Sequence, residues 1–278
     1  MTLPPDLLAS LRAGSLVPYL GPDVLSLVPE YQVPASPEAL VALLTAKVTV
    51  PHKIRNRLTQ AAQFIENFKH RKTLVDQMNA AFLPAPVPSG LHLWLASQKL
   101  PLIVDTWYDE AMSAALHETG AKWGEVQGLS QSEHFGTWTG WYDGNGNAVP
   151  ERAPEWDTLL YKPIGSASPA ANYLVSDSDY VEVLTEIDIQ TPIPAEVQAL
   201  RAGKNFLFLG CRFNDQLSRS FARQIMKRSS GQHWAVMPEE LTRMEKLFIA
   251  EQHITRIPVS LAEFVEQLTT RPAELQPA

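Results

Sequence analysis

Short uninterrupted apolar runs alternate along the chain with longer stretches whose apolar residues recur every three or four positions. The runs Leu16–Gly21, Pro101–Thr106, Leu159–Gly165, Asn205–Gly210, His233–Met237 and Ile254–Val259 read as strands. They are continuous rather than alternating, the pattern of strands covered on both faces. Pro37–Lys47 reads as a helix, with Leu40, Leu43 and Leu44 at helical spacing behind an N-cap at Ser36. Ile54–Phe82 predicts one or two helices, with Leu58, Ala62, Ile65 and Phe68 on one face, followed by Leu74, Met78 and Phe82. The stretch PAPVPSG, residues 84–90, breaks that pattern as a linker, and Leu91–Gln98 forms a short helix. Further helices are predicted over Asp109–Glu118, Asp215–Ser229 and Pro238–Gln252, the second with Leu217, Phe221 and Ile225 one turn apart. The tail after Arg271 is expected to fray.

One segment departs from this alternation. Between Gly120 and Trp156 the chain is rich in Gly, Trp, Ser and Asn, and Gly144-Asn145-Gly146-Asn147 is a strong turn signal. With FGTWTGWYD before it, the segment reads as an aromatic-rich β-hairpin inserted at about residues 120–156. Strands alternating with helices predict an α/β chain: a doubly wound, mostly parallel, Rossmann-like sheet. The expected organisation is a single domain over residues 1–278, with a helical subdomain at about 36–90.

Composition narrows the functional classes. Hydrophobic residues make up 45% of the 278, ample for a packed core and incompatible with disorder over most of the chain. Twenty-three basic against 30 acidic residues give a net charge of −7, which argues against a nucleic-acid partner. One cysteine allows neither an intrachain disulfide nor a cysteine-rich zinc site. Seven histidines fall at no metal-binding spacing, so no metal is expected. The first residues lack a basic stretch followed by a long apolar run, and no segment has the roughly 18 apolar residues of a membrane span. A soluble cytoplasmic protein with no membrane partner is the expectation, and an oligomer stays open.

In a doubly wound sheet, ligands gather at the carboxyl ends of the strands, where helix N-termini attract anions. Four such ends carry polar text: GPDVL from Gly21, DTWYD from Asp105, KPIGS from Lys162 and GCRFND from Gly210. In that order they resemble the sirtuin-like domain family of NAD-handling proteins. That family has a glycine-rich loop after the first strand, then Thr-Thr-Asn-Tyr-Asp, Lys-Leu-His-Gly and Gly-Tyr-Ser-Phe-x-Asp segments. SDSDYVEVLTE, residues 176–186, matches the helix that follows the histidine segment, and the resemblance runs from about Leu11 to Leu268. It implies a site for NAD or an ADP-ribose-like nucleotide, with Gly21, Thr106, Asp109, Gly210, Arg212 and Asp215 as the cofactor-binding candidates. Tyr108 and Asp109 are the weak candidates for any catalytic role.

The departures from the family matter more than the match. Its histidine, the base toward the ribose hydroxyl, corresponds to Ile164, which cannot accept a proton. Its asparagine corresponds to Trp107, which offers one N–H donor and fills space. Asp23 stands where a loop glycine would face phosphate, and Leu25 stands for the loop serine, with Ser26 beside it. One cysteine cannot supply the zinc module of the deacetylating members, so no zinc and no deacetylase activity are expected. The remaining charged candidates have bland readings. Asp109 and Asp215 suit helix N-caps, Arg212 an ion pair, and Lys162 a solvated charge. Arg219, Arg223, Lys227 and Arg228 suit a solvated stripe near a helix C-terminus. Cys211 suits a small buried residue, and His134 an exposed loop histidine.

Three functional expectations follow. The first is a nucleotide-binding or partner-binding pseudoenzyme with a regulatory or accessory role. The second is an active NAD glycohydrolase or ADP-ribosyl transferase using Tyr108, Asp109 and His134. The third is a purely structural interaction protein that meets a protein partner through Trp138, Trp141 and Tyr142. An accessory part in bacterial nitrogen fixation is a looser association that no residue carries.

Overall fold

The computed structural model describes residues 3–84, 86–186, 192–238 and 240–269. The expected fraying after Arg271 lies outside them. The strands are β1 (Leu16–Leu20), β2 (Leu102–Asp105), β3 (Trp123–Gly128), β4 (Thr139–Asp143), β5 (Ala148–Val149), β6 (Thr158–Lys162), β7 (Gly165–Ser166), β8 (Asn172–Tyr173), β9 (Asn205–Leu209), β10 (His233–Val236) and β11 (Ile254–Ile257). The helices are α1 (Pro5–Arg12), α2 (Pro37–Lys47), α3 (Leu58–Phe82), α4 (Gly90–Ser97), α5 (Ala111–Glu118), α6 (Asp177–Glu186), α7 (Ala195–Arg201), α8 (Gln216–Ile225), α9 (Arg243–Glu251) and α10 (Leu261–Thr269).

Nine strands form one sheet in the order β11-β10-β9-β1-β2-β6-β3-β4-β5, while β7 and β8 pair separately. From β11 to β3 every neighbour is parallel; β4 and β5 add an antiparallel edge. This is the doubly wound α/β architecture the apolar pattern predicts. Alternate residues of each strand feed opposite cores. Val17, Tyr19, Phe206 and Phe208 join one cluster with α2 and α3, and Leu16, Leu20, Leu207 and Leu209 join the other with α1, α4 and α10. Burial on both faces is why these strands read as unbroken apolar runs.

Local signals set several boundaries. Ser36 accepts the Ala39 N–H at 3.1 Å and starts α2 where its sequence suggests. The long α3 is broken at His70 (φ 71°, ψ 151°), which settles the choice between one helix and two as two segments meeting at a kink. Thr242 and Glu245 form a capping box that starts α9 five residues later than Pro238. Helices α1, α7 and α10 are additional to those the sequence predicts.

The aromatic segment is the main difference from the sequence reading. Its first part, Trp123–Gly128, is a fully buried strand of the main sheet, parallel to β6. The hairpin proper is β4–β5, joined through Asp143–Asn147, and it extends the same sheet. Tight packing explains the glycines here: a Cβ at Gly124 would lie 2.2 Å from the Trp156 ring. Trp138 and Trp141 rest partly buried against the core.

Candidate functional site

Strand order, not strand direction, changes between β1 and β9: β2 and β6 lie to one side of β1, and β10 and β11 lie beyond β9. Such a switch point opens a crevice at the strand ends. Register aligns the crevice: Leu20 pairs with both Asp105 and Leu209, so Gly21, Thr106 and Gly210 follow in one row. A cleft of about 880 Å³ opens there, lined among others by Gly21, Asp23, Thr106, Trp107, Ile164 and Arg212.

Gly21 and Gly210 hold the two strand ends together. The Gly21 N–H donates to Leu209 O at 2.8 Å and the Asp23 N–H to Gly210 O at 3.2 Å. A Cβ at Gly21 would lie 2.4 Å from Gly210 O; one at Gly210 would lie 2.4 Å from the Val24 nitrogen. Gly210 also has φ +65°, a conformation glycine adopts without strain. Thr106 caps the row, its hydroxyl donating to Leu20 O at 2.7 Å.

Trp107 and Ile164 give part of the cleft an apolar lining. Trp107 is buried in the cleft lining, and its indole N–H donates to Pro34 O at 2.7 Å, which fixes the ring. Phe82 and Tyr108 pack on that ring. Ile164 is buried beside it in the same lining. Among the described lining residues there is no histidine and no lysine.

Elsewhere the lining is charged, with Asp23, Arg57, Arg212 and Asp215 among its residues. Arg212 forks onto Glu245, with Nε donating to Oε1 at 2.8 Å and Nη2 to Oε2 at 3.1 Å. The Glu245 side chain is fully buried, whereas that of Arg212 remains 36% exposed. Burial alone would raise the Glu245 carboxyl; bonds from Arg212 and from the Thr242 backbone and hydroxyl hold it down to about 2. Arg212 therefore belongs to an ion pair and to the cleft wall together. Asp215 caps α8 by accepting the Ser218 N–H at 2.9 Å, and it also lies in the lining.

The Glu245 pair sets an acid limit. A carboxyl held below its unfolded value of about 4.5 stabilises the fold above that pH. This stabilisation fades as pH falls through the folded value of about 2. In urea titrations over that window, the wild-type midpoint should fall more steeply than that of Glu245→Gln, which has no proton to take up.

Tyr108, Asp109 and His134 lie elsewhere. Tyr108 is buried and donates its hydroxyl to Leu174 O at 2.8 Å, and Asp109 is buried with Oδ1 on the Ala111 N–H at 2.8 Å. Neither is among the residues lining the cleft. Asp109 does bond the start of α5, although the helix begins two residues later than the sequence suggests. His134 is exposed on its loop. The Cys211 thiol is buried near Tyr19 O and Leu209 O, and burial pushes its pKa up, the opposite of a reactive thiolate.

Two basic residues overturn their solvated readings. Lys162 is completely buried, with Nζ donating to Asp105 Oδ2 at 2.9 Å and to Asp109 O at 2.6 Å. Burial by itself would lower its pKa, but the Asp105, Glu110 and Asp109 carboxylates raise it. Arg219 is buried and bonds Phe213 O at 2.6 Å, fixing the loop before α8. Sequence reasoning also missed Glu245; the Thr242-x-x-Glu245 spacing was the available signal.

Among the described residues, no group of three or more His, Cys, Asp or Glu could hold a metal ion, and no helix is long and apolar enough to cross a membrane. Comparison with curated proteins finds no match. A family model for the SIR2-like domain matches residues 101–257, from just before β2 to the end of β11. The Gly21 loop lies outside the matched stretch but, in the fold, packs directly on Gly210 within it. The chain belongs to the SIR2-like domain family.

Proposed function

We propose that this chain is a sirtuin-fold pseudoenzyme: it holds a nucleotide of the ADP-ribose class in the β1/β9 crevice without cleaving NAD. In this reading its role is regulatory or accessory. The observation that carries it is the cleft itself, placed at the switch point yet walled by Trp107 and Ile164 where a base and an amide would be needed. The residues present do not fit NAD as a substrate for cleavage. With no histidine or lysine in the lining, and with Trp107 and Ile164 in it, the imidazole that takes the ribose proton in the resembled family has no counterpart here. Arg212, oriented by Glu245, supplies a cation for phosphate oxygens, while Asp23 opposes them from the facing loop.

Scanning calorimetry of the full chain tests this reading. ADP-ribose and NAD should raise Tm by mass action, and GTP should not. Nicotinamide release from NAD should stay at the buffer rate. Asp23→Asn removes a repelling charge and should tighten ADP-ribose binding by about tenfold, the effect of roughly 1.4 kcal/mol. Release of nicotinamide above buffer would instead support a glycohydrolase. No shift with any nucleotide would leave an interaction protein, with Trp138, Trp141 and Tyr142 at the sheet edge as its contact surface.

A further inference from the structure

A second cavity of about 690 Å³ shares no lining residue with the cleft. It lies between α5, the start of β3, the Asp143–Asn147 turn and the loop joining β7 to β8, with Phe82 and Trp123 as apolar sides. Three carboxyl-bearing residues line it: Glu110 ahead of α5, Glu125 on β3, and Asp143 at the end of β4, whose oxygens already accept from Asn145 and Asn147.

Glu125 is 2% exposed, and only one of its oxygens is bonded: Oε1 accepts from Gln127 Nε2 at 3.0 Å. Oε2 is buried without a partner, and so are Ser113 Oγ in the same lining and Oε1 of the neighbouring Gln127. A buried acceptor left unmade costs about 1–3 kcal/mol, more when charged. Glu110 Oε1 is held by the Ser166 hydroxyl at 2.5 Å and the Ser168 N–H at 3.1 Å. These are neutral donors, which orient the carboxyl without balancing its charge.

The charge around the cavity is also unbalanced. Asp105, Asp109, Glu110 and Glu125 interact with the single ammonium of Lys162, whose hydrogen bonds already go to Asp105 and to the Asp109 carbonyl. His92, on α4, is pushed down to about 4 by burial and is neutral. His117 and Asp143 also line the cavity, and the nearby Tyr142 and Tyr173 hydroxyls have raised pKa values. Burial, then the Glu110 charge, pushes Glu125 up to about 8, as expected where a counter-cation is missing.

We infer that this cavity binds an organic cation that donates hydrogen bonds, an ammonium or guanidinium group, between Glu110 and Glu125. Carboxylates accept only, and such a group brings several N–H donors with the missing charge. Phe82 and Trp123 give its carbon chain an apolar side to lie on. A bare metal ion is a poorer match, because the described residues offer no group of three ligands.

Isothermal titration of the full chain with agmatine, which carries one ammonium and one guanidinium, tests the assignment. Saturable binding is expected, weakened at least tenfold by Glu125→Gln and also weakened by Glu110→Gln, with the response to ADP-ribose unchanged. Should Glu125→Gln fail to fold, Glu110→Gln, at a less buried position, decides. The assignment is overturned by an absence of saturable heat up to about 10 mM, weaker than the millimolar range of a specific site. It is equally overturned by unchanged affinity in the Gln variants, or by magnesium displacing agmatine at equal concentration.

Discussion

Lys162→Met should lower the unfolding free energy by about 3–5 kcal/mol, the usual result of removing one partner from a buried ion pair. The Asp105 carboxylate would keep its buried place and its Trp107 N–H contact at 3.2 Å, but lose the ammonium at 2.9 Å. Lys162 also bonds the Asp109 carbonyl, so the substitution loosens the start of α5 and the strand end together. The urea midpoint should fall at unchanged slope, with Tm dropping on the order of 10 °C. Lys162→Met combined with Asp105→Leu should recover most of the loss, since an apolar pair carries no uncompensated charge. A Lys162→Met protein as stable as wild type would mean that Asp105 is already protonated in the fold.

The second large effect is at Gly210. Alanine there adds a left-handed residue at φ +65° and drives a methyl to 2.4 Å from the Val24 backbone nitrogen. Strain and overpacking each cost about 1–3 kcal/mol, and backbone cannot step aside as a side-chain tip can. A loss of about 3 kcal/mol or more is therefore expected, with weakened ADP-ribose binding because β1 and β9 would separate. Gly203→Ala is the control: φ is +67°, but a Cβ there meets nothing within 4 Å. It should show the backbone strain alone, about 1–2 kcal/mol. Equal losses at the two positions would remove the close approach of the strands as the reason for Gly210.

Much of the sheet was legible because each buried strand is a short unbroken apolar run that ends in glycine, threonine or charge. Trp123–Gly128 was not, since WGEVQG carries a glutamate and a glutamine that the sheet buries in pairs rather than exposes. The same physics hid Lys162 and Arg219: a sequence shows a charge, but its compensating partner is distant in the chain, at Asp105 or the Phe213 carbonyl. Within the candidate site, the strand-end order exposed Gly21, Thr106, Gly210, Arg212 and Asp215, all of which line the cleft. Tyr108 and Asp109 belong to the same motif but turn inward to Leu174 and Ala111, a choice of side that adjacent letters cannot specify.

Sequence by itself determined the α/β class, the order of the strand-end motifs and the apolar character of Ile164 and Trp107 within two of them. These follow from local periodicity and residue chemistry, which require no knowledge of neighbours. Tertiary structure alone decided that Gly21 packs on Gly210, that Glu245 orients Arg212 and that three carboxylates surround one buried lysine. Each of those depends on groups brought together across the sheet, where burial turns a missing or present partner into a large free-energy difference.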